Sequence, residues 1–317
     1  MKVLVIGGAG YIGSHVVKEL LDRGAQAVVY DDLSSGHKIN LFPGAGFVEG
    51  NILDYPKLKT AMEDGIDAVV HLAAKKAVGE SMDNPELYAE NNLIGAVNIL
   101  NAMAKSNVKA FVFSSSAAVY GMPEYWPIDE THPLNPISFY GFTKVEMERL
   151  MEWYDRLRGI KYTALRYFNA AGYDAGGAIK GRDRNPQNLL PIIREVVDGK
   201  RECLQIFGND YETPDGTCIR DYVHVSDLAA AHVQAINRLL EGKPSAVFNL
   251  GTNNGVTVKE VVAATEKVTG KPLPVRYAPR RPGDPAVLLA SNRKAETELG
   301  WKPVYTSIED IIRTELA

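Results

Sequence analysis

Tyr140 and Lys144 lie one helical turn apart in "SFYGFTKVEMERL", residues 138–150. Residues four apart share a helix face, and this face continues through Met147, Met151 and Tyr154. The spacing therefore puts a lysine on a stripe that points inward. Ser138 is placed to cap this helix, just after Pro136. Upstream, "AFVFSSS" (110–116) ends in Ser114, Ser115 and Ser116. A phenol has a pKa of about 10 and is a poor base at neutrality. A fixed ammonium beside it favours the phenolate. Lowering that pKa by about three units corresponds to roughly 4 kcal/mol of differential stabilisation. Ser116, Tyr140 and Lys144 together have the composition of a proton-handling set. Taken alone, the Tyr-x-x-x-Lys spacing better suits a core tyrosine and a lysine that snorkels outward.

A second motif weighs against that plainer reading. The run "KVLVI" (2–6) leads straight into "GGAGYIG". Gly7, Gly10 and Gly13 form G-x-x-G-x-x-G, and Gly8, Gly10 and Gly13 form G-x-G-x-x-G. Glycines permit the tight turn and let backbone N–H groups approach a pyrophosphate at a helix N-terminus. The motif follows a predicted strand, opens a predicted helix and precedes Asp31 at the end of the next strand, which is the context a dinucleotide site requires. A carboxylate at 31 accepts bonds from ribose hydroxyls and repels a 2′-phosphate. No arginine follows closely in "YDDLSSGHK", so NAD is expected over NADP. Its positive nicotinamide ring would join Lys144 in favouring the Tyr140 phenolate.

These groups need a frame. Short β-branched apolar runs at 2–6, 27–30, 46–50, 67–73, 110–116 and 162–168 alternate with helical patterns at 12–23, 55–63, 86–105 and 139–158. Near-continuous apolar strands are those buried on both faces. The order predicts an α/β fold with a doubly wound parallel sheet of Rossmann type. The second half is less regular. It offers helices at 189–199, 226–241 and 257–269, strands at 203–208, 246–251 and 274–279, and a polar loop at 209–219. We expect an NAD-binding domain over 1–168 with a returning segment at 223–251. A smaller α/β lobe for the substrate would comprise 169–222 and 252–317.

Composition narrows the function class. A net charge of −4 over 317 residues gives no footprint for nucleic acid. Cys203 and Cys218 have no metal-type spacing and read as reduced thiols. His71 and His224 lie in apolar runs and read as core residues; no metal is expected. No apolar run is long enough for a membrane span, and the N-terminus lacks the features of a signal peptide. The expected location is the cytoplasm.

At this point the residues carry a resemblance. "GGAGYIGSH", "HLAAKKAVGES", "FSSSAAVYG", "YGFTK", "LRYFNAAG", "IFGNDYETPDGTCIRDYVHVSDLA" and "APRRPGD" resemble the extended short-chain dehydrogenase/reductase family, and within it the branch that epimerises UDP-glucose and UDP-galactose. The likeness runs along nearly the whole chain, and "KAVGES" and "TPDGTCIRDY" are its most specific parts. It implies a cycle in which Tyr140 takes the proton of the sugar 4-hydroxyl, Ser116 bonds that oxygen and NAD accepts hydride from C4. The 4-ketose then turns over and receives the hydride on its other face. The resemblance implies that Gly7, Gly10, Tyr11, Ile12 and Gly13 hold the NAD pyrophosphate and Asp31 the adenosine ribose. It gives Asn51 and Ile52 to the adenine and Lys76, rather than its neighbour Lys75, to the phosphates. Leu72, Ala73 and Asn91 would lie near the cofactor, with Tyr140 and Lys144 at the nicotinamide ribose. On the UDP-sugar side it implies Asn169, Asn188 and Leu189, with Arg220 and Arg281 on the diphosphate and Asp284 on the uridine ribose.

The sequence also departs from that family. Asn51 replaces the usual aspartate, and "GRDRNP" (181–186) replaces a more acidic loop. Leu288 stands where relatives restricted to glucose and galactose often carry tyrosine, and where those accepting N-acetylated sugars carry a small residue. Slower turnover of UDP-N-acetylhexosamines is therefore expected. Other readings stay open: a dehydratase or decarboxylase of the same family, or a catalytically silent NAD-binding sensor. A dehydratase would show an Asp-Glu pair where this chain has Ala117 and Ala118. Arg220 could instead pair with Asp221 and merely pin a loop. Finally, Phe142, Val145 and Trp153 form a second apolar patch on helix 139–158. Helix 86–105 is apolar over a wide arc through Leu93, Ile94, Val97, Ile99, Leu100 and Met103. One sheet face cannot cover both sides of a helix, which predicts a homodimer.

Overall fold

The computed structural model describes residues 1–183, 186–281 and 283–317. In the first half the apolar runs become β1 (Lys2–Ile6), β2 (Gln26–Asp31), β3 (Gly46–Glu49), β4 (Ala68–His71), β5 (Ala110–Ser116) and β6 (Lys161–Tyr167). Between them run α1 (Tyr11–Asp22), α2 (Tyr55–Met62), α3 (Val78–Asp83), α4 (Pro85–Tyr88), α5 (Gly95–Lys105) and α6 (Phe139–Arg158). The second half supplies β7 (Asn169–Ala171), α7 (Leu189–Val197), β8 (Leu204–Phe207), β9 (Ile219–His224), α8 (Val225–Leu240) and β10 (Ala246–Leu250). It ends with β11 (Gly255–Thr257), α9 (Val258–Thr269), β12 (Val275–Ala278), β13 (Val287–Leu288) and α10 (Ile308–Leu316).

Seven parallel strands form the main sheet in the order β10-β6-β5-β4-β1-β2-β3. Alternation along a strand sends successive side chains to opposite faces. Val3 and Val5 pack with Val16, Leu20, Leu228 and Ile236 from α1 and α8. Leu4 and Ile6 pack with Leu58, Met103, Met147 and Met151 from α2, α5 and α6. Each such side chain contributes roughly 1.5–3 kcal/mol when fully buried, so a strand with two covered faces has no position left for polar alternation. The chain runs outward from β1 to β3, then returns to β4 on the other side of β1. The crevice above β1 and β4 is the topological switch point where open α/β sheets bind ligands.

A second sheet is built on β9, with β11 antiparallel and β13 parallel to its first half, and β7 parallel to its second. β8 and β12 pair separately. Four of these short strands escape sequence reading: β7, β11 and β13 are two or three residues long, and β9 reads "IRDYVH", polar enough to pass for a loop.

Helix 86–105 is not continuous. After α4 the backbone widens into a π-type turn over Ala89–Ile94 before α5 begins. Such turns mark sites where a side chain needs to be seated. Here Asn92 is seated: it accepts from Lys75 N at 2.9 Å, donates to Lys75 O at 3.0 Å and reaches Thr143 Oγ1 at 3.2 Å. The apolar arcs of α5 and α6 also divide. Ile99, Leu100 and Met103 are buried against the sheet, and Val145 against Val119 and Tyr120 of the same chain, so these four belong to the chain's own core. Ile94, Phe142, Trp153 and Leu157 remain exposed. Among the described residues no helix is long and apolar enough to cross a membrane.

Candidate active site

The glycine loop turns from β1 into α1. Gly7 has φ +85°, and a Cβ there would stand 2.7 Å from Ala73 N. A Cβ on Gly13 would collide with Gly7 O. Both positions need glycine because the loop, the end of β4 and the first turn of α1 meet without room for a side chain. Leu72 and Ala73 are drawn to the same point, their N–H groups donating to Ile6 O at 2.8 and 3.1 Å. Gly10 caps α1 with no side-chain hydrogen bond. The first-turn N–H groups of Tyr11, Ile12 and Gly13 have no intrahelical acceptor. A cradle that any Cβ would fill, with donors aimed from a helix N-terminus, fits a dinucleotide pyrophosphate.

Asp31, at the end of β2, is buried. It accepts from Ala9 N at 3.0 Å and Leu33 N at 2.8 Å. Burial raises its pKa, and these two bonds oppose the rise. Asn51 accepts from Leu53 N at 2.9 Å and donates to Asp32 at 2.8 Å. Ile52 is buried beside it, against Gly95. Asn91 is half-buried in the π-type turn. Lys76 is exposed and pairs with Asp183 at 2.8 Å.

Ser116 ends β5 at the crevice. Ser138 caps α6, accepting from Gly141 N at 3.1 Å, and thereby starts the helix that carries Tyr140 and Lys144. Lys144 is only 5% exposed; it donates to Ser114 O at 2.8 Å and lies 5.6 Å from the Tyr140 ring centre. The lysine thus points inward, as the helical spacing predicts. Burial lowers its pKa to about 7, and Glu148 opposes the fall. Tyr140 is half-buried and bonded to Ser116; burial raises its pKa and the serine lowers it. The depression expected for Tyr140 is therefore not a property of the protein groups alone, because desolvation of the phenolate outweighs the serine.

The UDP-sugar candidates gather around β9. Arg220 bonds Asp284 at 2.5 Å, not Asp221. Asp221 instead accepts from Thr252, Asn253 and Ala290. Leu288 pairs in register with Arg220 and packs on the cluster holding Ala117, Tyr120 and Phe168. Asn169 donates to Asp221 O at 3.0 Å. Arg281 is exposed, its guanidinium 4.0 Å over the Phe207 ring. Of the turn expected to fix it, Gly283 has φ +72° and Pro282 lies outside the described residues. Asn188 caps α7 and Leu189 opens it. Leu189 packs on the cluster that holds Ala171 of β7 and Tyr222 of β9, and Asn188 lines a cleft of about 110 Å³ with Tyr11, Lys76 and Arg182. Arg184 and Asn185 of the "GRDRNP" loop lie outside the described residues.

His71 and His224 are both buried, with pKa values lowered to about 3 by burial. Among the described residues no group of His, Cys, Asp and Glu could hold a metal. Sequence reading missed the salt bridge between Glu148 and Arg166, buried under the Tyr140–Lys144 face. The signal was available: Glu148 is four residues beyond Lys144.

Fold and site together define a Rossmann-type member of the extended short-chain dehydrogenases/reductases. The profile described as "NAD dependent epimerase/dehydratase family" matches residues 3–251. A protein of Streptococcus mutans named UDP-glucose 4-epimerase is 47% identical over 100% of this chain and 96% of its own. One of the same name from Lactobacillus helveticus is 48% identical over 99% and 96%. The crystal structure of UDP-glucose 4-epimerase from Brucella ovis in complex with NAD superposes with a TM-score of 0.97 at 43% identity, covering 99% of this chain and 97% of that one. The chain belongs to the NAD-dependent epimerase/dehydratase family.

Proposed function

We propose that the protein interconverts UDP-galactose and UDP-glucose with NAD as a resident cofactor. The observation that carries this reading is the meeting of Ser116, Tyr140 and Lys144 at the end of β5, in a chain whose full-length relatives are named for that reaction. When bound, NAD supplies a hydride acceptor and donor at the sugar C4 and a positive ring beside Tyr140. Tyr140 Oη takes the proton of the 4-hydroxyl and gives it back after the 4-ketose has turned over. Ser116 bonds the same oxygen. Lys144 holds the nicotinamide ribose and, as an ammonium, lowers the cost of the phenolate.

Gly7, Gly10 and Gly13 make room for the pyrophosphate, and Tyr11 and Ile12 donate to it. Asp31 takes the adenosine ribose, Asn51 and Ile52 the adenine. Leu72, Ala73 and Asn91 wall the crevice, and Lys76 reaches the phosphates. In the UDP-sugar lobe, Arg220 and Arg281 neutralise the diphosphate and Asp284 meets the uridine ribose. The Arg220–Asp284 contact supports one shared subsite for those two. Asn169, Asn188 and Leu189 complete it. We assign 1–168 and about 223–251 to the NAD-binding domain, and 169–222 and 252–317 to the UDP-sugar lobe. Leucine at 288 gives an acetamido group more room than tyrosine, so UDP-N-acetylhexosamines turn over more slowly rather than not at all. The protein acts as a cytoplasmic homodimer.

The test is product analysis: the protein is mixed with UDP-galactose and no added NAD. UDP-glucose forms if the reading holds. An NAD-containing preparation that leaves UDP-galactose unchanged refutes it.

A further inference from the structure

One turn beyond Lys144, α6 carries a buried carboxylate that the reaction as described does not use. Glu148 Oε1 accepts from Ser115 Oγ at 2.6 Å and from Arg166 Nε at 3.0 Å, and Oε2 accepts from Arg166 Nη2 at 2.5 Å. Arg166, on β6, spends a further N–H on Tyr120 OH at 3.0 Å. The pair is almost wholly buried. Taking two charges out of water costs about as much as the pair returns, and apolar side chains of similar volume often serve stability as well. Stability alone therefore does not account for a bidentate ion pair here.

Its position does. Three successive serines of β5 each meet α6: Ser116 bonds Tyr140, the Ser114 carbonyl takes the Lys144 ammonium, and Ser115 donates to Glu148. The helix is thus tied to the strand at three successive turns. We propose that Glu148, held by Arg166, is a positioning residue: it sets the register of α6 against β5, so that Ser116, Tyr140 and Lys144 keep one geometry. This rests on the roles of Tyr140 and Lys144 proposed above. The groups facing Lys144 are Tyr140 and Glu148 from its own helix, Phe113 and Ser114 from β5 and His71 from β4. His71 is held neutral by burial. Glu148 is the anion of that set, and it opposes the loss of the Lys144 proton that burial favours.

Glu148→Gln keeps the shape and an acceptor for Ser115 while removing the charge. In the NAD-loaded protein kcat should fall about tenfold, with KM within about threefold of the parent. The alkaline limb of kcat should move to lower pH by about half a unit or more. Tyr140 should ionise at higher pH, read from tyrosinate absorbance against Tyr140→Phe. Since Glu148→Gln leaves Arg166 buried without a carboxylate, the double variant Glu148→Met with Arg166→Met is measured beside it. That variant should melt near the parent temperature and still show the same defect in kcat and in Tyr140 ionisation. A well-folded double variant with the parent's kcat, pH limb and Tyr140 ionisation overturns the positioning role. A parent with no epimerase activity, or a Tyr140→Phe variant that retains it, overturns the functional reading instead.

Discussion

The reaction proposed above turns on one hydroxyl. Tyr140 sits where burial disfavours its phenolate and only Ser116 among its bonded partners favours it, so its use as a base depends on cations brought close. Lys144 is one of them, 5.6 Å from the ring centre and fixed by the Ser114 carbonyl. Tyr140→Phe removes the proton acceptor and almost no volume. We predict a fall in kcat on the order of 10³-fold, with bound NAD retained. Assaying epimerisation and the nicotinamide content of the same preparation checks both halves, and turnover within a few-fold of the parent would assign the base to another group.

At the scale of elements, β13 is only two residues long, yet it carries Leu288, the residue proposed above to shape the sugar pocket. Leu288 is fixed by pairing with β9 at Arg220 and by packing on Ala117, Tyr120 and Phe168. It is half-buried, so part of its surface is free to meet a ligand. Leu288→Tyr should lower turnover of UDP-N-acetylglucosamine relative to UDP-glucose by about tenfold or more, while sparing the UDP-galactose reaction. Parallel rates on the two substrates decide it. An unchanged ratio means that position 288 does not set the pocket size.

For the whole molecule, the unfinished surface is the outer face of α5 and α6. Phe142, Trp153 and Leu157 are exposed on one stripe of α6, and Ile94 stands exposed just before α5. Isolated exposed apolar residues are ordinary; the homodimer proposed above would cover this stripe. In sedimentation at micromolar concentration the parent should run at twice its 34.7 kDa chain mass, and Trp153→Glu at the mass of one chain. A parent that sediments as a monomer would remove the dimer.

Much of this was legible in the amino-acid order because it is local. The turn from β1 through Gly7 to Gly13 into α1, the alternation of apolar runs that became a parallel sheet, and the four-residue spacing of Tyr140 and Lys144 are all short-range patterns. Each was set by backbone sterics or helical period, and the observed α6 (Phe139–Arg158) coincides with the helix read from its cap and stripe. Contacts between residues distant along the chain were decided only by packing. Arg220 chose Asp284 across 64 residues rather than its neighbour Asp221, because Asp221 is turned inward to hold Thr252 and Ala290. Val145 was read as part of the subunit interface and lies in the core, because the segment after β5 folds back over it. The Glu148–Arg166 pair joins α6 to β6, and a charged residue on a helix gives no sign of its partner until the strand behind it is in place.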